Sequence, residues 1–524
     1  MDFLTFSRKD RDQMKALGIT EQVINSQLEA FRGPPPYLRL RRPCTIGDGI
    51  HAIPEKELPA LIEHHKAAAD RGRFLKFVPA SGAATRMFES PLWLHTYEPR
   101  MDRNEIERRA EAGEGRFKEL VTFVNNFDRF AFFDILRNVM AEVGLDIRDL
   151  LEKGRFEEIL EYLLTSRGLN YANLPKGLLK FHQYPDESRT AFEEHLVEAA
   201  EYVRDGKGIC RLHFTVSPEH WEGFERLLEE VRPLYGAKYN VRFQVDFSTQ
   251  REFTNTIAVD VENRPFRLPD GSIHFRPAGH GALIENLNNL QADIIFIKNI
   301  DNIVPDRLKV TTFTWKKALA GYLLKAQKRI FSYMEKLVEG IDEERFLREA
   351  LDFVETDLFL PIPESLRLGS TKEKGEFLLS TLNRPLRVCG QVPSRDEPGG
   401  GPFWVEGKDG TLSMQIVERA QVDPDSVEQQ EIWRSTTHFN PVDVVCGVRD
   451  YRGNPFDLRK YVDPGAIIIT KKSQEGRELK ALELPGLWNG AMAHWMTIFV
   501  EVPLITFNPV KTINDLLRDE HQPL

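Results

Sequence analysis

Cysteine is scarce in this chain. The 524 residues contain four, Cys44, Cys210, Cys389 and Cys446, and none forms a C-x-x-C pair. Such scattered thiols exclude a disulfide framework or a zinc module as the organising device, and they fit a reducing cytoplasm. Long apolar runs are missing too. No stretch approaches the roughly 20 residues of a membrane span. The opening segment, MDFLTFSRKDRDQMKALG, alternates charged and apolar residues and lacks the apolar core of a signal peptide. The expectation is a cytoplasmic protein with no membrane partner. Positive charge is in deficit: 70 Lys and Arg against 80 Asp and Glu give a net charge of −10. That balance argues against broad nucleic-acid binding, which needs a basic surface, and leaves room for a local basic pocket that takes phosphates. There is no internal repeat and no low-complexity tail.

Hydrophobic residues make up 41% and charged residues 29% of the chain, the balance of a globular protein whose length allows two or three subdomains. Residues 1–70 read as helices, broken at GPPPY (Gly33–Tyr37) and TIGDGI (Thr45–Ile50). The strand-like RFLKFVPA comes next and runs into SGAATRMF (Ser81–Phe88). From 90 to 170 the pattern is charged and helical, an insertion on the core. The segments GICRLHFTVS and KYNVRFQVDF read as strands on either side of the helix HWEGFERLLEEV. Strands alternating with helices predict an α/β fold with a mixed, mainly parallel sheet. The division expected is a helical segment over 1–70, a core over 71–317, a helical insertion over 318–384 and a carboxyl-terminal part of the catalytic domain over 385–524. The helical additions are read as a lid or a dimer contact. EPGGGPFW (Glu397–Trp404) is either a backbone turn that closes over a phosphate or a surface turn.

Several segments carry chemistry. Ser81, Gly82, Ala83, Thr85 and Arg86 form a small-residue loop after a strand, the kind that brings backbone N–H groups and a cation to a phosphate at a helix start. It is not a Walker A loop, because no Gly-Lys-Ser/Thr comes after it. Lys176 stands between Pro175 and Gly177, which fix its direction. In Phe275–Asn302 the turn Gly279-His280-Gly281 leads into ALIENLNNL and the apolar strand DIIFI. Beyond it come Asn299, Asp301 and Asn302, at the carboxyl end where α/β sheets bind ligands. Two outward positions on an extended chain, Asn299 and Asp301, suit a sugar hydroxyl and a metal ion. The glycines beside His280 permit close approach of a flat ligand. Lys511 precedes a helix start capped by Thr512 or Asn514. His438 and Asn440 in STTHFNPVD either contact a ligand or tie the loop down.

In order, these segments resemble the UTP–sugar-1-phosphate uridylyltransferases, the UDP-sugar pyrophosphorylases of the GT-A-like nucleotidyltransferase superfamily. SGAATRM is similar to their nucleotide loop, LPKGL to their lysine motif and FSTQREF to their Phe-x-Gln segment. FRPAGHGALIENL resembles their Gly-His-Gly turn and IKNIDNI their Asn-x-Asp-Asn strand end. Further along, TLSMQIVERAQV, STTHFNPVDVV and the ending FNPVKTINDLL agree with later motifs. Ser81 and Ala84 stand where glycines are usual and Ala282 replaces an acidic residue, departures that point to a divergent bacterial branch. The resemblance implies a Rossmann-like GT-A nucleotidyltransferase core with large helical insertions. It implies an enzyme that joins a sugar 1-phosphate to a nucleoside triphosphate, with UTP the expected nucleotide, and releases pyrophosphate. Arg86, Lys176 and Lys511 would be catalytic, and Asp301 would bind Mg2+. Ser81, Gly82, Ala83, Thr85, Gln250, Gly279, His280, Asn299, His438 and Asn440 would contact the substrates. Two alternatives stand beside it: a nucleotide-sugar-binding or regulatory protein without transfer activity, and a GT-A-type glycosyltransferase.

Overall fold

The computed structural model describes residues 6–394, 400–474 and 476–523. It divides into two compact units. The first comprises Met1–Phe77, Ser248–Ile297 and Trp315–Leu504, the second Val78–Phe247, Lys298–Thr314 and Ile505–Leu524.

In the first unit the strands Thr45–Ile46, Gly49–His51, Met496–Glu501, Leu386–Pro393, Asp443–Gly447, Ile294–Lys298 and Phe74–Pro79 lie side by side in that order. Neighbours run parallel at Thr45–Ile46 with Gly49–His51, at Met496–Glu501 with both of its partners, and at Ile294–Lys298 with Phe74–Pro79. Asp443–Gly447 is antiparallel to Leu386–Pro393. The mainly parallel α/β sheet predicted from the alternation is therefore present. Ile294–Lys298 is buried along its whole length, as expected of a parallel strand covered on both faces. Ile295 and Ile297 pack with Phe77, Cys389, Val444 and Phe499, and the short helix Leu283–Asn288 adds Leu283, Ile284 and Leu287 to the same core.

The expected amino-terminal helices form, at Arg8–Leu17, Glu21–Arg32 and Leu58–Asp70. Ser7 and Asp10 cap the first reciprocally and Thr20 caps the second. Strands occupy 39–51 between them. Leu and Arg alternate in YLRLRRP, a period of two, and Arg39–Pro43 pairs antiparallel with Gly401–Glu406. This pairing outweighs the helical reading of the segment. Gly401–Trp404, the part of the Glu397–Trp404 turn lying in that strand, is ladder rather than turn; Glu397, Pro398 and Gly399 lie outside the described residues. Where the helix Lys309–Val338 passes Leu58–Asp70, a Cβ on Gly321 would lie 1.9 Å from the Leu61 carbonyl oxygen. Only glycine permits that backbone approach.

The second unit holds the neighbouring strands Ile209–Thr215 and Arg242–Ser248 and the helix Trp221–Tyr239. Six helices run between Glu89 and Leu164, the helical region expected over 90–170. Phe117, Phe123, Phe127, Phe130 and Phe132 are buried among them. The helix Ala191–Tyr202 has a different character: of its 12 residues only Glu201 is exposed. Its carboxylates are therefore desolvated and must be paired. Glu194 accepts from Lys309 Nζ at 2.5 Å, from the Tyr184 hydroxyl at 2.7 Å and faces His182 Nδ1 at 2.8 Å. Burial alone would raise the Glu194 carboxyl, but Lys309, His182 and Arg189 hold it far below the usual carboxylate range. Glu198 accepts from Lys298 at 2.6 Å. The His182 ring stacks on His521 with centroids 5.3 Å apart, and His182 Nε2 lies 3.0 Å from His521 Nδ1.

Candidate active site

The predicted site residues are divided between the two units. In the second unit the strand-end residues Asn299, Asp301 and Asn302 come after Lys298, which the Glu198 carboxylate anchors. His195 Nε2 lies 3.1 Å from the Ile300 carbonyl oxygen, and the Asn508 amide donates to Asn302 Oδ1 at 2.9 Å. The Val510 amide donates to the Asp301 carbonyl at 3.1 Å. These bonds lay the 505–511 segment along the strand end. Lys176 then reaches both: its ammonium donates to Asp301 Oδ2 at 2.7 Å and to the Val510 carbonyl at 2.6 Å. Its side chain is 14% exposed and that of Asp301 19%, so the pair is shielded without being sealed from water. Lys511, next to Val510, is exposed. Its amide and that of Thr512 both donate to Asp515 Oδ2 at 2.7 Å, so Thr512 is the cap, as one of the two sequence alternatives had it.

The small-residue loop joins this group through backbone. Lys176 N donates to the Gly82 carbonyl, Ala84 N donates to the Leu174 carbonyl, and Ala83 bridges Pro175. Ser81, Gly82, Ala83, Thr85 and Arg86 are exposed, whereas Ala84 is fully buried. The Ala84 methyl thus packs inward and takes no part in the outer face of the loop. The loop enters a three-residue 3-10 turn, Ala84–Arg86, and an α-helix begins only at Glu89. The helix dipole expected at the loop is displaced by that turn. A side chain on Gly82 would meet no protein atom within 4 Å, so nothing in the fold demands glycine there. Gly177 differs, since a Cβ there would lie 2.8 Å from the Phe224 ring. Arg86, Lys176 and Lys511 against Asp301 leave this group with excess positive charge in a chain of net −10.

In the first unit His280 opens a short turn after Gly279, whose φ of +76° is the left-handed backbone that glycine tolerates. A Cβ on Gly281 would lie 2.2 Å from the Pro485 carbonyl oxygen. Gly279 therefore packs against the Glu483 side chain and Gly281 against the 484–485 backbone. The flat group stacked on the imidazole is Trp488, with centroids 4.1 Å apart. Leu487 N donates to His280 Nδ1 at 3.0 Å, and His280 Nε2 lies 3.4 Å from Glu418 Oε1. Burial pushes Glu418 up, but hydrogen bonds from His280 and Asn489 outweigh it and hold the carboxyl below its ordinary value. Gln250 is half-buried, and its Nε2 donates to Thr254 Oγ1 at 3.3 Å. Its segment is fixed by Asn286, which donates to Ser248 Oγ and the Thr249 carbonyl.

His438 and Asn440 are tied down internally. His438 is 5% exposed, with Nε2 2.9 Å from Glu501 Oε2 and Nδ1 2.8 Å from Thr437 Oγ1. Asn440, 3% exposed, accepts from Val442 N and donates its own amide hydrogen to Gly400 O. Of the two readings the sequence left open for them, these contacts build the loop-tying one. Sequence reasoning missed Trp488, Leu487 and Glu418 as neighbours of His280. The signal available was Gly-Leu-Trp-Asn-Gly at 486–490, an aromatic residue between two glycines.

What the chain defines on its own residues is a mixed α/β protein with a lysine–aspartate pair at a strand end and a templated imidazole. A family profile described as "Domain of unknown function (DUF4301)" matches residues 7–522. The chain belongs to that family. No curated protein matches its sequence. Among solved structures it is similar to UDP-glucose phosphorylase from Trypanosoma brucei, at 13% identity and a TM-score of 0.48, covering 97% of this chain and 77% of that one. UDP-glucose pyrophosphorylase from Leishmania major, bound to UDP-glucose, gives 12% and 0.46 over 99% and 82%. The UDP-N-acetylglucosamine pyrophosphorylase of Trypanosoma brucei, bound to an inhibitor, gives 14% and 0.46 over 98% and 79%. At such identities and scores, the functional reading is built from the chain's own residues.

Proposed function

We propose that this chain is a sugar-1-phosphate nucleotidyltransferase that uses a nucleoside triphosphate, UTP in the first instance. The observation that carries the reading is the bridge made by Lys176 to Asp301 and Val510, which gathers three remote segments and places Lys511 beside them. A cationic group of this kind suits phosphoryl transfer, where catalysis is mostly positioning and charge neutralisation. A phosphate oxygen of the sugar 1-phosphate attacks the α-phosphorus; the bond to the bridging oxygen breaks and pyrophosphate leaves with its electron pair. Arg86 and the amides of Ser81, Gly82, Ala83 and Thr85 take the β- and γ-phosphates, Lys176 the triphosphate, Lys511 the sugar phosphate, and Asn299 a sugar or ribose hydroxyl. Gly82 supports this, since a glycine with open space around it leaves its backbone accessible to a phosphate. Gln250 and His280 are assigned to the base. His438 and Asn440 hold their own loop.

Mg2+ fits on one condition. No group of three or more His, Cys, Asp or Glu side chains able to hold a metal occurs among the described residues. Asp301 therefore suits an ion shared with substrate phosphates, the usual arrangement for Mg2+. Bound there, the ion would neutralise and polarise phosphoryl oxygens.

The test is pyrophosphate release from protein, Mg2+, each nucleoside triphosphate and a panel of sugar 1-phosphates, with Lys511→Ala as control. Release by the wild type and a roughly 10²–10³-fold loss in the variant are expected. Nucleotide binding with no release across the panel would instead favour a nucleotide-sugar-binding protein, the reading to which Ala282, fully buried where an acidic residue is usual, lends support.

A further inference from the structure

Five residues, Gly486–Gly490, contact both members of the His280–Glu418 pair. Leu487 N donates to His280 Nδ1, Trp488 stacks on the ring, and Asn489 hydrogen bonds to Glu418 and donates to Gln421 Oε1 at 3.3 Å. Glycine is required at both ends. A Cβ on Gly486 would lie 2.5 Å from His280 Cε1, and one on Gly490 would lie 2.4 Å from the Ala466 Cβ. The middle of the loop is held from below by Arg387. This arginine is fully buried in the strand Leu386–Pro393, and no carboxylate pairs with it among the described residues. Its Nη1 donates to the Trp488 carbonyl at 2.6 Å and its Nε to Thr497 Oγ1 at 2.8 Å. Burying a cation without a counter-charge is costly, and an apolar side chain would fill a sheet interior more cheaply. The chain keeps the arginine where its acceptors are one hydroxyl and the carbonyl of the residue stacked on His280.

We infer that Arg387 is a positioning residue for His280. Acting through the Gly486–Gly490 loop, it fixes the imidazole as the tautomer with its proton on Nε2. An amide that donates to Nδ1 requires a lone pair on that nitrogen, so the proton must sit on Nε2 and point toward Glu418. His280 then presents one oriented N–H, directed at Glu418, and no acceptor, so a ligand carbonyl or hydroxyl oxygen would take that N–H in place of the carboxylate. The tautomer stands on this geometry alone. Its use in ligand recognition rests on the proposed function, in which His280 meets the nucleotide.

Imidazole nitrogen NMR on the full chain tests it, with the His280 signals identified by their loss in His280→Gln. The wild type is expected to show an unprotonated Nδ1 and a protonated Nε2. Arg387→Met should mix the tautomers, and Arg387→Lys, which keeps a donor for the Trp488 carbonyl, should restore the wild-type pattern. Gly486→Ala, whose methyl strikes the ring, should mix them with Arg387 intact. A proton on Nδ1 in the wild type overturns the inference, as does an unchanged pattern in folded Arg387→Met. If that variant does not fold, an unchanged pattern in Gly486→Ala overturns it. UTP titration separates the two readings. A fixed tautomer in a protein that binds no nucleotide leaves the positioning intact and removes the proposed function. If UTP binds, mixed tautomers should weaken it about tenfold, the worth of one oriented hydrogen bond; equal affinity overturns the role in recognition.

Discussion

The two groups of site residues are built in opposite ways. Around Lys176 in the second unit, charge does the assembling: one ammonium draws together a carboxylate and a carbonyl from segments 125 and 334 residues away in sequence. Around His280 in the first unit, shape does it: glycines, a stacked indole and one backbone amide leave the ring a single orientation. Under the proposed function, the first arrangement exchanges side-chain partners for substrate phosphates. The second is set before any ligand arrives. A phosphate site gains from exchangeable charges, whereas a site that reads a hydrogen-bond pattern gains from fixed ones.

The largest expected effect sharpens what charge can do when it cannot exchange. Glu194→Gln leaves Lys309 and Arg189 buried near a neutral amide, and should cost about 3–5 kcal/mol of unfolding free energy in denaturant melts. Next, Lys176→Met should lower pyrophosphate release roughly 10²–10³-fold, and it should also lower stability, because Asp301 loses its partner. Lys511→Ala should match it in rate with a much smaller change in melting temperature, since the residue is exposed. A stability loss in Lys511→Ala equal to that of Lys176→Met would erase the distinction between the shielded and the exposed lysine. A smaller contrast lies within the first unit. His280→Gln should weaken nucleotide binding about tenfold, while His438→Gln should leave affinity alone and cost about 1 kcal/mol of stability. If the two histidines exchanged those outcomes, the loop-tying role of His438 would be wrong.

The smallest effect is in pH. Burial depresses both His182 and His521 in the folded protein, with Lys309, Arg189 and Arg518 adding repulsion and Glu194 opposing it. Their unfolded values are near 6.5. Below that pH the unfolded chain takes up protons first, so stability is full above about 6.5 and falls as the pH drops toward the folded values. Thermal melts between about pH 7.5 and 5.5 should show this slope, and His182→Gln should flatten it.

Much of the second group was legible because its residues sit beside strong local signals. Ile294–Lys298 is a continuous apolar run, and the polar residues directly after such a strand mark its carboxyl end. Lys176 and Lys511 stood out through proline and glycine neighbours and through motif order. That Lys176 grips Asp301 is a tertiary fact with no local trace. The glycines beside His280 were legible as special, but their packing was not: they admit the Pro485 carbonyl and the Glu483 side chain, contacts from about 200 residues downstream in a register that no sequence pattern fixes. Arg39–Pro43 was lost in a helical reading because five residues are too few for periodicity to decide. Arg387 lies in a strand whose other residues are mostly apolar, and nothing local distinguishes a buried arginine from an edge one.

The enclosed helix Ala191–Tyr202 has a consequence for the order in which the polypeptide takes shape. The lysines that neutralise Glu198 and Glu194 are made 100 and 115 residues later. On the ribosome, a nascent chain ending before Lys298 would have to enclose Glu198 without its lysine and Glu194 with only His182, Tyr184 and Arg189 beside it. Closure of this interior is therefore expected to be completed only when the Lys298–Lys309 stretch emerges and supplies the two lysines.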